Sequence, residues 1–357
     1  MARSEFSFVA AALLVALCIR EATGSRMTQK ERTLRQDRVW GNDVSNWTCA
    51  VLNESVIVNG TSTAQPALRW TQVNCTGQTP LGSIGPLVIN LVHADLSSPK
   101  LFFTPMTANT THQLAPLNQI AAQDPRIVAG INGGYFYRTD TSSFIDNVCW
   151  GKNITDAEKP VSLKAPNDGV GDTLVIVDGE LRSTNCDCIG YNRPALVVLN
   201  GTSTYITVQD LASPPPPGVV SGIAAGPNLV SLNTTTNETF VNIPRDDQNS
   251  NILEWSSNTG VGLIESSNEM VLVTVNGYDS CRLWDPVCGM DAYHLAFFMK
   301  DYVRVTTAME MDQGGSTTMF VKGKGEQGIV SCSTDASCSY GPRPLFSALM
   351  IGAYDAQ

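Results

Sequence analysis

The sequence predicts an α+β fold, a strand-rich single domain with mixed sheets and few helices. Three observations predict it. Short apolar runs bounded by turn residues recur along most of the 357 residues, the pattern of strands closed by tight turns. The 29 glycines and 19 prolines supply those turns, while 16% of the residues are charged and 43% hydrophobic, enough for a substantial core. Helical stretches are short and do not alternate with the strands, which excludes a regular βαβ architecture.

The first 86 residues divide by composition. Residues 1–24 read as a signal peptide: Arg3 gives a basic start, the apolar run extends from Phe8 to Ile19, and Ala22-Thr23-Gly24 offers small residues for cleavage. No later stretch reaches the ~18 apolar residues of a membrane span, so no stable membrane insertion is expected after cleavage. Residues 25–41, with the charged Arg26–Arg38, read as a solvated leader or propeptide. Residues 42–86 are expected to form a glycosylated N-terminal segment, with Val56–Val58 as a short strand. Residues 87–357 are the expected main domain.

Sequons and cysteines agree with that address. Asn46, Asn53, Asn59, Asn74, Asn109, Asn153, Asn200, Asn233 and Asn237 each begin N-x-S/T. Beyond the signal stand Cys49, Cys75, Cys149, Cys186, Cys188, Cys281, Cys288, Cys332 and Cys338, and disulfides are the default in an oxidising compartment. Cys49–Cys75, Cys281–Cys288 and Cys332–Cys338 are the candidate local pairs, and Cys149 is matched with Cys186 or Cys188. No C-x-x-C repeat or His pair supports zinc, so no metal is expected. A net charge of −10 argues against nucleic acid and anionic membranes, which need clustered Lys and Arg.

The main domain opens with the core strand Leu87–Val92. Leu114–Gln123 fits a short helix stopped by Asp124-Pro125. Ile127–Tyr137, IVAGINGGYFY, runs from an apolar strand into Asn132-Gly133-Gly134 and out through aromatics. Asn-Gly signals a hairpin turn; alternatively the glycines bring backbone close to a ligand that Asn132 hydrogen-bonds. Leu174–Leu181 is a strand, an Asp178-Gly179 turn and a return, and Arg193–Leu199 pairs with Thr204–Val208. The SPPPPG of Ser213–Gly218 is a stiff extended loop. Gly260–Ile264 and Met270–Val275 form a hairpin, Asp291–Lys300 a helix capped by Asp291, and Leu345–Ile351 the last strand.

Val303–Lys322 is the most informative stretch. Two alternating runs flank Asp312–Thr318, with Glu310 and Asp312 on one face of the first strand and Met309 and Met311 on the other. Two carboxylates leading into two glycines and three hydroxyls can hold water or a sugar and offer N–H groups to an anion. A plain hairpin is the competing reading.

INGGYF, LVIVDGEL, NRPALVVL, NTGVG with LVTVNG, MEMDQGGSTTMFV and GPRPLFSALMI stand in the order seen in the phosphodiester glycosidase family. The chain resembles that family from about Leu87 to Ile351. The resemblance implies a secreted or Golgi/lysosomal hydrolase that removes a sugar from a phosphodiester, for example an alpha-N-acetylglucosamine-1-phosphodiester, with no obligatory cofactor. The family's Asn-Gly-Gly turn falls on Asn132, Gly133 and Gly134, and its DGGGST loop on Asp312, Gly314, Gly315, Ser316 and Thr317. Its late Arg falls on Arg343, and an earlier Arg-Pro on Arg193-Pro194. The chain departs from the pattern at Asn258, where Arg is usual, at Gln313 for Gly, at Glu310 for Asn and at Asn276 for Asp.

Roles follow from the implied reaction. Phosphate leaving an anomeric carbon needs its charge neutralised, a task for Arg343, Arg193 and the N–H groups of Gly314 to Thr317. Asp312, helped by Glu310, would activate water or stabilise the oxocarbenium-like transition state. Asn132 would orient the sugar or phosphate, and Tyr135 would stack on the ring. The alternatives are an inactive secreted glycan-binding or matrix protein of the same fold, favoured by Asn258 and Gln313, and an exopolysaccharide hydrolase.

Overall fold

The computed structural model describes residues 45–61, 65–108, 114–138, 169–171, 173–183, 194–199, 203–208, 218–243, 250–253, 255–277, 289–333 and 342–354. The signal and leader, Arg193, three sequons and most cysteines fall outside them. In chain order the strands begin with β1 (Asn46–Val58), β2 (Leu68–Thr79), β3 (Gly82–Asp95) and β4 (Leu101–Thr107). Helix α1 (Leu117–Ala121) precedes β5 (Ile127–Asn132), β6 (Phe136–Arg138), β7 (Gly169–Gly171), β8 (Val175–Val177) and β9 (Glu180–Ser183). There follow β10 (Pro194–Leu199), β11 (Ser203–Val208), β12 (Val219–Ala224), β13 (Asn228–Asn233) and β14 (Glu238–Val241). After β15 (Asn258–Ile264) and β16 (Glu269–Val275), helix α2 (Ala292–Phe297) runs on as a π-helical turn over Phe298–Val303. The chain closes with β17 (Thr307–Glu310), β18 (Met319–Val321) and β19 (Ser347–Ala353).

Three sheets and one short ribbon result. The largest has eight strands in the order β1-β2-β3-β16-β15-β17-β13-β14; five follow β11-β10-β12-β8-β9, four follow β18-β5-β19-β4, and β6 pairs β7. Strand-richness and scarce helix agree with expectation. The sheets are not mixed: every described pairing is antiparallel. The physical reason is connection length. Sequence neighbours such as β15 and β16 or β8 and β9 are joined by tight turns, whereas parallel pairs need a crossover of a dozen residues or more.

At its centre, in β15 and β16, the eight-stranded sheet is buried on both faces. Val271, Val273 and Val275 of β16, with Ile89 and Leu91 of β3, pack on Phe297, Phe298 and Met299. Met270 and Leu272, alternating with them, join Met309 of the same sheet and meet Ile131, Leu349 and Ile351 of the four-stranded sheet. On β15 the helix-facing positions are Gly260 and Gly262. A Cβ there would stand 2.9 Å from Met299 Sδ or 2.6 Å from Val305 Cγ1, so the helical layer reaches the sheet only because these residues lack side chains.

Residues 86 and 87, where the main domain is expected to begin, lie inside one strand. That strand is β3, and β1 and β2 extend the same sheet, with Val73 in one core face and Leu68 and Trp70 in the other. Cys49 and Cys75 form the expected disulfide. Cys332 is also disulfide-bonded, while Cys338 lies outside the described residues.

Neither expected turn in the motif region is a hairpin. β5 leads into Asn132-Gly133 but pairs with β18 and β19, not with the strand after the turn. β17 belongs to the eight-stranded sheet and β18 to the four-stranded one. Residues 311–318 are therefore a crossing from sheet to sheet.

Candidate active site

At that crossing several strand ends meet: the end of β5, the start of β15, the end of β17 and the start of β19. Asn132 stands at the centre and is 0% exposed. Its Nδ2 donates to the carbonyls of Asp312 at 2.7 Å and Gly133 at 3.3 Å. Its Oδ1 accepts from Thr259 Oγ1 at 2.7 Å and from the Thr318 N–H at 3.1 Å. Four bonds use the whole capacity of a carboxamide, so Asn132 grips the ends of the loop and has nothing left for a ligand. The ligand contact expected of it becomes a bracing role.

The glycines beside it act in the same way. A Cβ on Gly133 would fall on Ser347, and one on Gly134 on the carbonyl of Ala224 and on Thr173 Oγ1. They admit neighbouring protein chain, not a ligand. Tyr135 is half-buried, and its hydroxyl donates to the Gly226 carbonyl at 2.6 Å.

In the loop, Asp312 and Gly314 are partly exposed, whereas Gly315, Ser316 and Thr317 are buried. Gly314 N–H donates to the Ser257 carbonyl, Thr317 N–H to Gly314, and Ser316 N–H to Gln313 at 3.4 Å. The expected cradle of four amides therefore reduces to Gly315, the one amide of the four with no backbone acceptor recorded among the described residues. Arg343 is half-buried, and its Nη1 donates to Ser316 Oγ at 3.4 Å. The acid, the amide and the guanidinium that the sequence marks thus belong to one locality, Asn132 touching Asp312 directly and Arg343 joining through Ser316.

Glu310 lies one side-chain repeat before Asp312 and is 1% exposed. Its carboxyl is pushed up to about 8, first by burial and further by the neighbouring Asp291 and Asp312, against a lowering hydrogen bond from Asn258. Asn258 Nδ2 donates to Glu310 Oε1 at 2.8 Å and to Gln313 Oε1 at 3.1 Å. Asn258 therefore bonds to two other positions that depart from the family pattern. Asn258 Oδ1 has no hydrogen-bond partner among the described residues.

The sequence predicts Asp291 as a helix cap. Asp291 does cap α2, accepting the His294 N–H at 2.9 Å, and the same oxygen meets His294 Nδ1 at 2.7 Å. Both are buried, and His294 stacks on Trp255 with centroids 4.5 Å apart. The D-x-x-H spacing at a helix start was the available signal; the approach of Asp291 to Glu310 is tertiary.

A cavity of about 1000 Å³ opens elsewhere, bordered by Phe103, Asp124, Arg126, Arg182, Ser221 and Tyr354, and none of the expected site residues lines it. Its Arg126 and Arg182 are already paired, with Asp124 at 2.6 Å and Glu180 at 2.7 Å. Chemistry and volume disagree here, and the converging loop is the better candidate because reacting groups must share one space. No three His, Cys, Asp or Glu residues are grouped to hold a metal among the described residues.

A buried acid next in side-chain repeat to a partly exposed carboxylate is the kind of pair a glycosidase uses. A profile of the phosphodiester glycosidase family matches residues 125–351, and the chain belongs to that family. Among solved structures it is similar to the catalytic domain of zebrafish N-acetylglucosamine-1-phosphodiester alpha-N-acetylglucosaminidase, auto-inhibited by its pro-peptide. That similarity has a TM-score of 0.54 at 15% identity over 92% of this chain and 94% of that one. A hypothetical protein from Synechocystis aligns with a TM-score of 0.48 at 14% identity over 82% of this chain and 64% of that one. A comparison with curated protein sequences finds no match.

Proposed function

We propose that this chain is a secreted or lumenal glycosidase that hydrolyses a sugar-1-phosphodiester, in the manner of the alpha-N-acetylglucosamine-1-phosphodiester named for the zebrafish protein. The observation that carries this reading is the meeting of opposite charges at one loop. Asn132 fixes the Asp312 carbonyl at 2.7 Å, and Arg343 reaches Ser316 four residues on at 3.4 Å. An anionic substrate with a cleavable anomeric bond needs both.

In the proposed reaction, water attacks the anomeric carbon and gives its proton to the Asp312 carboxylate. The bond from that carbon to the phosphate oxygen breaks, and its electron pair leaves on the phosphate, which departs as a phosphomonoester. Arg343 and the Gly315 N–H offset the phosphate charge. Arg193 would add a second guanidinium. With its carboxyl held up to about 8, Glu310 is largely neutral at pH 7, so it accepts from Asn258 without repelling an anionic substrate. Tyr135 would support the sugar ring, with its hydroxyl tied to Gly226.

The test is turnover of an alpha-linked sugar-1-phosphodiester by the wild-type protein and by Asp312→Asn. Turnover lost in the variant supports the assignment; no turnover by the wild type with saturable glycan binding establishes the second reading, a glycan-binding protein. One observation favours that reading: Asn258 replaces a usual arginine and is committed to Glu310 and Gln313.

A further inference from the structure

All six sequon asparagines that fall within the described residues are exposed: Asn46, Asn53, Asn59, Asn74, Asn233 and Asn237. Their placement is not scattered. Asn46 and Asn53 lie on β1, Asn59 follows its last residue, and Asn74 lies on β2 beside it. Asn233 ends β13, and Asn237 immediately precedes β14. The order β1-β2-β3-β16-β15-β17-β13-β14 makes these the hairpins at the two opposite borders of the large sheet. The four strands between them, β3, β16, β15 and β17, carry no sequon.

A border strand leaves N–H and C=O groups unpaired and invites another chain to pair with it. β1 is a severe case, with 13 residues and no described neighbour on its outer side. Val51 is 60%, Leu52 49% and Val56 56% exposed. Two of the usual guards are scarce, since Glu54 is its only charged residue and it contains no Lys or Pro, which leaves the register shifts near Val51 and Val56 as its built-in protection.

The register aims three sequons together. Asn46 pairs with Gln78 and Ala50 with Asn74, and the bulge after Val51 restores Asn53 opposite Gln72. Because side chains alternate, Asn46, Asn53 and Asn74 project from one face of the β1–β2 hairpin. Asn53 Nδ2 donates to Gln72 Oε1 at 2.9 Å, a bond that a secondary amide can still make. Asn233 Oδ1 accepts the N–H groups of Thr235 and Thr236 at 2.9 and 3.2 Å, which leaves its Nδ2 outside that turn.

We propose that N-linked oligosaccharides on these six asparagines are the edge protection of the eight-stranded sheet, the β1 group keeping copies of the chain from pairing along that strand. Each attachment forms a bond from Asn Nδ2 to C1 of an oligosaccharide and breaks the C1–O bond to a lipid-pyrophosphate donor. The amide proton leaves with the pyrophosphate. The inference does not depend on the catalytic reading.

The experiment uses the full chain secreted from a eukaryotic host that makes endoglycosidase-sensitive glycans. Peptide mapping should find Asn46, Asn53 and Asn59 occupied. Trimming the folded protein under native conditions should shift its mass distribution in light scattering towards dimers and larger species, with no change in circular dichroism. The triple variant Thr48→Ala, Ser55→Ala, Thr61→Ala should shift likewise, and adding Val51→Lys and Val56→Lys should restore the original distribution. Unoccupied β1 sequons, or a trimmed protein whose mass distribution is unchanged, would overturn the proposal.

Discussion

Asn258 Nδ2 donates to Glu310 Oε1 at 2.8 Å in a place where neither residue reaches solvent. A single neutral donor does not offset the removal of a carboxylate from water, so the acid keeps its proton well above the ordinary range. Glu310 is thereby a proton-bearing group beside Asp312, whose side chain is partly exposed.

Glu310→Gln should stabilise the protein with a definite pH dependence. The unfolded chain loses the Glu310 proton near 4.5 and the folded chain near 8, so the stability this carboxyl lends is intact below about 4.5 and drains away up to about 8. Across that window the variant should gain on the wild type by up to ~1.4 kcal/mol per pH unit. Melting temperatures measured at pH 5 and pH 8 check this; equal differences at both would contradict it.

Asp312→Asn should lower turnover of a sugar-1-phosphodiester by about 10²-fold or more while leaving the melting temperature nearly unchanged. The brace from Asn132 goes to the main-chain carbonyl of Asp312, which the substitution keeps. Kinetics paired with calorimetry tests both halves.

Asn132→Ala should destabilise the fold by about 3 kcal/mol or more, because it orphans several buried partners at once. Asn132→Asp should be worse, since a carboxylate oxygen would then face the carbonyls of Gly133 and Asp312. Denaturant unfolding distinguishes this from a ligand-contact role, in which stability would survive and KM alone would rise.

Gly134→Ala should cost stability comparably, by roughly 1–3 kcal/mol as for overpacking, because both neighbours of the added methyl are fixed: the Ala224 carbonyl and the side chain of Thr173. An unchanged unfolding midpoint would refute the packing account of this glycine.

Arg343→Lys should raise KM for a phosphodiester more than it lowers kcat. Lysine keeps the charge and loses the planar fork, and half-buried Arg343 meets the loop through Ser316 Oγ at a long 3.4 Å. Steady-state kinetics with a charged and an uncharged glycoside separates this from a general loss of activity.

Strands and turns were largely legible in the sequence, because alternation and Gly/Asn/Asp punctuation act locally. The β8–β9, β10–β11 and β15–β16 hairpins fall where Asp178-Gly179, Asn200-Gly201 and Ser267-Asn268 put them. Sheet membership was not legible, since nothing in MEMDQGGSTTMFV tells whether its two strands pair or part. The same limit explains Asn132. Its motif marks the end of β5, but four partners from Gly133, Thr259, Asp312 and Thr318 arrive only on folding. The pairing of Asn258 with Glu310, 52 residues apart, was likewise invisible until the sheet assembled.

The crossing of residues 311–318 from the eight-stranded to the four-stranded sheet makes the site a strain gauge. Its carboxylate is carried by one sheet and its hydroxyls lead into the other, so a slip of one sheet over the other misaligns the reacting groups before any strand separates. Warming or mild denaturant is therefore expected to silence turnover ahead of cooperative unfolding, with secondary structure still whole. Any crosslink that pins the two sheets together should move the two losses into step.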